Sequence, residues 1–330
     1  MRSRGFVVRG ALALAASVAC SAGLACGGAA TSATDGPLVV FNAGSLARPL
    51  RAALDTFARR EGVAVAQESA GSLETARKLT ELGNVPDLIA LADADVFPRY
   101  LMPAHVDGYV EFARNRMVLA FTDRSRFANE ISAANWWRVM LRPGVEVGRS
   151  DPELDPNGYR TLLVWQLTER LVGDRGLAAR LERASPPRNV RPKEADLVGL
   201  LQAGEFDYIW SYESMAKGTG LRYLTLPDEV DLSSVDRAAV YANASVAVRG
   251  ATNGAHVTFT GAPIVYAFAV PRAAPHRALG IRFASFLLST EGREILRREG
   301  LDALEHPRAD GDPGDWLAAL LPPDGAARFP

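Results

Sequence analysis

Five side chains in this sequence stand at places where a strand or loop hands over to a helix, and each carries an oxygen that can meet a ligand. Ser45 and Ser72 follow glycine in Ala43-Gly44-Ser45 and Ala70-Gly71-Ser72. Asp155 opens Asp155-Pro156-Asn157-Gly158, Glu194 follows Pro192-Lys193, and Tyr212 closes the run Asp207 to Tyr212. A serine at a helix start is ordinarily an N-cap. Two of them at equivalent positions of successive strand-helix units also make an oxyanion cradle, because helix starts offer free N–H groups and the positive end of the dipole. A residue before proline avoids the helical region, whereas proline itself fits a first turn, so Asp155 caps or precedes a helix. Glu194 suits a first turn for the same electrostatic reason. Two carboxylates therefore stand where anions are attracted, and their ordinary roles are structural.

Catalytic arrangements are poor elsewhere. His105, His256, His276 and His306 are scattered without metal-ligand spacing, and there is no serine elbow, phosphate loop or Gly-x-Gly-x-x-Gly. Asp155 and Glu194 could act as acid and base in an exported hydrolase or isomerase. The chain supplies no nucleophile or cofactor for such a reaction, and no aromatic-rich sugar cleft surrounds the pair.

The elements that must position these groups alternate. Pro37 to Ala43 reads as a buried strand, followed by a helix with Leu46, Leu50, Leu54 and Phe57 at helical spacing and Gly62 as its stop. Val63 to Gln67 is a second strand, followed by a helix with Leu73, Ala76, Leu79 and Leu82 on one face, and Pro86 to Ala92 is a third strand. This alternation predicts a sheet of parallel strands covered by helices, with ligands beyond the carboxyl ends of the strands. Arg116 to Thr122 leads out of a first lobe and Gly261 to Pro271 returns to it, so two crossings form a hinge. Helices are expected at Tyr159 to Leu171, at Pro192 to Gly204, and as one long element from His276 to Arg298. Glu213 is turned away from Tyr212 by strand alternation.

The 330 residues carry a formal net charge of −1, with 48% hydrophobic and 23% charged, enough for two lobes and without the basic face a nucleic-acid partner needs. Arg2, Arg4 and Arg9 precede the apolar run Ala11 to Ala25, the pattern of a secretory leader. Residues 1–26 are read as that leader and 27–36 as a flexible linker. Both cysteines, Cys20 and Cys26, lie in the leader, so the mature body has no disulfide, thiol nucleophile or cysteine metal site. Gly23-Leu24-Ala25-Cys26 is similar to a bacterial lipoprotein site with Cys26 as the acylated residue.

An exported two-lobed α/β chain with such helix starts indicates a transport binding protein. Ala43-Gly44-Ser45-Leu46, Gly71-Ser72-Leu73-Glu74, Asp155-Pro156-Asn157-Gly158-Tyr159-Arg160, Arg191-Pro192-Lys193-Glu194 and Tyr212-Glu213-Ser214 resemble the molybdate/tungstate-binding proteins of ABC transporters, in particular the tungstate-type subfamily first seen in archaea. The resemblance runs from Pro37 to Leu301. It implies a two-lobed periplasmic-binding-protein fold of type II, each lobe a mixed sheet flanked by helices. Lobe I is then expected over 37–117 plus 265–330 and lobe II over 118–264. The resemblance also implies a monomer that hands its ligand to a permease. Carried over, Ser45 with the Gly44 backbone and Ser72 donate from lobe I. Asp155, the backbone of Pro156 and Asn157, Glu194 and the Tyr212 hydroxyl act from lobe II. The subfamily commonly carries Cys where this chain has Asn157, and its polar connection before Arg191 is longer.

Two carboxylates beside a dianion repel. The resemblance implies the resolution: Asp155 and Glu194 ligate the metal atom of molybdate or tungstate and complete a distorted octahedron, while hydroxyl and amide donors offset the charge. The saturated centre of sulfate offers no such bond. A binding protein for sulfate or for phosphate, which can carry a proton to a carboxylate, is the rival within the same class.

Overall fold

A computed structural model describes residues 36–250 and 254–311. The leader, Cys26 and the linker up to residue 35 lie outside the described residues. No helix among those described is long and apolar enough to cross a membrane.

The first sheet is built from β1 (Leu38–Ala43), a 3-10 turn over Gly44–Leu46, α1 (Ala47–Glu61), β2 (Val65–Ala70), α2 (Ser72–Leu82), β3 (Leu88–Leu91) and β4 (Gly108–Arg114). Leu50, Ala53, Leu54 and Phe57 are the buried stripe of α1. Both α1 and α2 end on a glycine in the left-handed region, Gly62 at φ 68° and Gly83 at φ 67°, the conformation that closes a helix and that glycine adopts without strain. The second sheet takes over at β5 (Met117–Phe121), followed by α3 (Trp136–Met140), β6 (Val147–Ser150), α4 (Pro156–Val172), α5 (Leu177–Ala184), β7 (Val190–Arg191), α6 (Glu194–Ala203), β8 (Tyr208–Tyr212), α7 (Glu213–Gly218) and β9 (Arg222–Thr225). After α8 (Ala238–Tyr241), an antiparallel hairpin forms from β10 (Ser245–Arg249) and β11 (His256–Thr260). The chain returns to the first sheet at β12 (Val265–Ala269), then runs through α9 (Arg277–Leu288), α10 (Thr290–Arg298) and β13 (Asp302–Gly311).

Both sheets are mixed. The first has the order β13-β4-β12-β3-β1-β2, parallel among β1, β2 and β3 and antiparallel where β12 joins β3 and β4. The second has the order β7-β6-β8-β5-β9, parallel among β7, β6 and β8 and antiparallel at β5. Purely parallel pairing therefore holds only in the part of each sheet that feeds helix starts. Phe57, Phe283 and Phe286 pack on one side of the first sheet, with ring centroids 5.2 Å apart between Phe57 and Phe283. Trp136 and Trp165 both meet Trp210 edge-on in the second. Full burial of such a ring contributes about 1.5–3 kcal/mol.

Two elements depart from expectation. The helix predicted from His276 to Arg298 is two helices. Ser289 leaves the helical region at ψ 162°, and its hydroxyl accepts from the Gly292 amide to start α10. A serine cap thus divides a segment whose apolar spacing runs on without interruption. β13 falls in a polar, charged stretch that carries no alternating strand pattern, and Ala303 is the one residue of the strand that is buried. Backbone pairing to β4 holds it, with an irregularity between Ala303 and Arg308 that accommodates Pro307.

Candidate functional site: a cleft of oriented hydroxyls and two carboxylates

The sequence-predicted residues converge where the two sheets face each other. Asp155 is the N-cap of α4, as its Asp-Pro context dictates. Its Oδ1 accepts from the Asn157 amide at 3.1 Å. Its Oδ2 accepts from the Glu194 amide at 2.7 Å, so the same carboxylate also closes the start of α6. Each oxygen keeps a lone pair beyond its hydrogen bond. Pro156 fills the first position of α4 and is buried. The Asn157 side chain turns into lobe II, where its Oδ1 accepts from Ser150 Oγ at 3.2 Å. The residue type at 157 therefore bears on lobe II packing, and the backbone is what α4 presents.

Glu194 is 1% exposed and carries the least satisfied carboxylate of the site. Its Oε1 accepts from the Tyr212 amide and the Ser211 hydroxyl, both at 2.6 Å. Its Oε2 is buried with no hydrogen-bond partner. Burial pushes the Glu194 carboxyl up to about 8, opposed by the Ser211 hydrogen bond and reinforced by the Asp155 charge. Burial likewise pushes Asp155 up to about 6 against the two helix amides and Arg160. A buried carboxylate oxygen without a donor is costly unless something binds it.

The hydroxyls are oriented by obligate donors. Ser72 Oγ accepts from the Ala92 amide at 3.0 Å, which leaves the Ser72 proton for another acceptor. Tyr212 accepts from Arg160 Nη1 at 2.8 Å, so its phenolic proton is also free. Ser45 shares a hydrogen bond of 3.0 Å with Tyr266. A methyl group placed on Gly44 would stand 3.7 Å from Ala195 and Lys193 of the opposite lobe, an ordinary contact.

The α2 start does not match its expected use. The amides of Leu73 and Glu74 both donate to the Leu154 carbonyl, at 3.0 and 3.2 Å, so a peptide of the opposite lobe already sits on them. Gly71 is required here, because a Cβ would lie 2.2 Å from that carbonyl oxygen. Leu73 and Glu74 are thus taken, and Ser72, the first residue of α2, keeps its side-chain proton.

Sequence reasoning missed Arg160 and its partners. This guanidinium is 3% exposed, donates to the Ala92 carbonyl at 2.7 Å and pairs with Asp93 at 3.1 Å across the lobes. Burial opposes its charge, but Asp93 and two tyrosines hold it above its ordinary value. Tyr159 also donates to Asp93. The motif contained Arg160, but its role depends on the carbonyl and carboxylate that face it. Glu213 does point away, towards Arg116 at 3.7 Å and Lys217 at 3.2 Å. None of the described His, Cys, Asp and Glu side chains gather in a set of three or more that could hold a free metal ion.

Two lobes joined by two crossings, with a charged cleft of fixed donors between them, define an extracytoplasmic type of solute-binding protein. The chain belongs to the family of bacterial extracellular solute-binding proteins, whose pattern matches residues 38–302. It is 41% identical over 273 residues to an uncharacterized solute-binding protein of Petrotoga mobilis, covering 82% of this chain and 85% of that one. It is 35% identical over 311 residues to the molybdate/tungstate-binding protein WtpA of Pyrococcus abyssi, covering 86% and 89%. Among solved structures, the sulfate-binding protein SubI of Mycobacterium tuberculosis aligns with a TM-score of 0.60 at 15% identity, covering 87% of this chain and 91% of that one. The periplasmic molybdate-binding protein of Azotobacter vinelandii aligns at 0.57 and 15%, covering 80% and 98%. At that identity the likeness is one of fold, and the fold is shared by binders of different oxyanions.

Proposed function

We propose that this protein captures molybdate or tungstate in the cleft between its lobes and delivers it to the permease of an ABC transporter, without catalysing a reaction. It acts outside the cytoplasm as a monomer, tethered through an acylated Cys26. The observation that carries the reading is Glu194 Oε2, a buried carboxylate oxygen without a donor, beside Asp155 and three hydroxyls with protons to give. To that oxygen in its ionised form sulfate, which carries no proton, offers only repulsion. Molybdenum and tungsten in their oxyanions can accept further oxygen ligands, so Glu194 and Asp155 enter as ligands of the central atom, while Ser45, Ser72 and Tyr212 donate to its oxo groups. The likeness to relatives named for molybdate and tungstate supports the same choice.

The rival is a protonated Glu194 that donates to any tetrahedral oxyanion. The two readings differ in sign. Metal ligation needs the carboxylate, so a group held near 8 must lose its proton on binding, and affinity weakens as pH falls from 8 towards 6. A Glu194 donor would instead lose affinity as pH rises past 8. Calorimetric titration with tungstate, molybdate, sulfate and phosphate at several pH values decides. Tight binding of the first two with proton release supports the proposal; comparable affinity for sulfate overturns it.

A further inference from the structure

We propose that Asn115, at the first crossing between the lobes, is a positioning residue that fixes the direction in which Ser45 offers its proton. The inference rests on the oxyanion reading above. Asn115 lies between β4 and β5 and is buried. Its amide orientation is set by its neighbours, since the backbone N–H groups of Arg116 and Ser214 both donate to Oδ1, at 3.0 and 3.3 Å. The other terminal atom is therefore nitrogen. Its two protons go to Ser214 Oγ at 2.7 Å and to the Tyr266 phenolic oxygen at 2.9 Å. Tyr266 thus accepts from Asn115 and gives its own proton to its remaining neighbour, Ser45 Oγ, at 3.0 Å. Ser45 accepts in turn, and its proton is left for the cleft.

The relay runs one way because an amide nitrogen cannot accept. It ends in a donor, which suits an anion that offers acceptors. Burial pushes the Tyr266 phenol upwards, so it remains a donor across the physiological range. Tyr266 stands on β12, where the chain returns to the first sheet. The first crossing, through Asn115, thus meets the second at the Tyr266 hydroxyl, which bonds Ser45, and Asn115 also holds Ser214 at the start of α7.

Asn115→Asp preserves shape and the acceptor for both amides but replaces the donor with a second acceptor. Tyr266 then donates to Asp, and Ser45 turns its proton to Tyr266. Calorimetry with sodium tungstate should show affinity falling at least about tenfold, whereas in a Tyr266→Phe background the same substitution should cost less than about threefold. An equal loss in both backgrounds would mark a charge effect and overturn the relay, as would no loss in either. If Asn115→Asp fails to fold by circular dichroism, Tyr266→Phe decides in its place. It should weaken tungstate binding in the natural chain and leave the Ser45→Ala variant unchanged; equal weakening in both overturns the proposal. A natural chain that binds neither tungstate nor molybdate removes the function itself, a result read without any variant.

Discussion

The chemistry of the cleft is decided at two carboxylates whose ordinary roles are also filled. Asp155 does cap a helix, and it caps a second one through the Glu194 amide. The cap and ligand roles are compatible because a hydrogen bond occupies one lone pair of each oxygen. Glu194→Gln keeps an acceptor for Tyr212 and Ser211 but removes the metal-ligating charge. We expect tungstate affinity to fall by a factor of roughly 100 or more, about 2.7 kcal/mol, measured by calorimetry. The same substitution tests the pH dependence of the free protein. A carboxylate raised to about 8 holds its proton in the folded state and loses it near the ordinary value when unfolded, so stability falls as pH rises between those values. The melting temperature of the ligand-free natural chain should therefore drop from pH 5 to pH 8, and that slope should flatten in Glu194→Gln. Arg160→Met removes the ion pair to Asp93 and the donor to Tyr212, and should weaken tungstate binding by roughly 10- to 100-fold while both lobes stay folded.

Among the elements, the five candidate residues were legible in the chain order because each one stands at an element end. Gly-Ser after a strand, Asp-Pro before a helix and a tyrosine closing an apolar run are local signals, and Ser45, Ser72, Asp155, Glu194 and Tyr212 do meet in one cleft. What could not be read were residues whose meaning comes from the opposite lobe. Tyr266 looks like core in a strand of buried residues, and Arg160 has no visible partner until Ala92 and Asp93 face it. A polar Asn115 between two apolar strands was the available signal for the crossing. The break at Ser289 was hidden because apolar spacing continues through it, and its cap is a single hydrogen bond. Ser289→Ala should cost about 0.5–2 kcal/mol in denaturant unfolding, with ligand affinity unchanged.

For the whole molecule, the structure has its lobes closed upon each other. Leu154 of lobe II sits on the α2 amides of lobe I, Arg160 reaches Asp93, and the β10-β11 hairpin accepts from Arg77 and Tyr100 through the Arg249 carbonyl. Gly71 permits the first of these contacts, and its φ of −64° suits alanine locally. Gly71→Ala should therefore fold normally yet fail to close, and small-angle scattering should show a radius of gyration that does not contract on adding tungstate. Closure brings the Ser45 and Ser72 hydroxyls of lobe I towards the carboxylates and Tyr212 of lobe II, and the proposal is that the carboxylates bind the metal atom of the oxyanion. The most direct test is X-ray absorption at the tungsten edge of the protein–tungstate complex. Carboxylate ligation gives a distorted octahedral oxygen shell that reverts towards tetrahedral in Glu194→Gln; a regular tetrahedral shell in the natural chain would rule that ligation out.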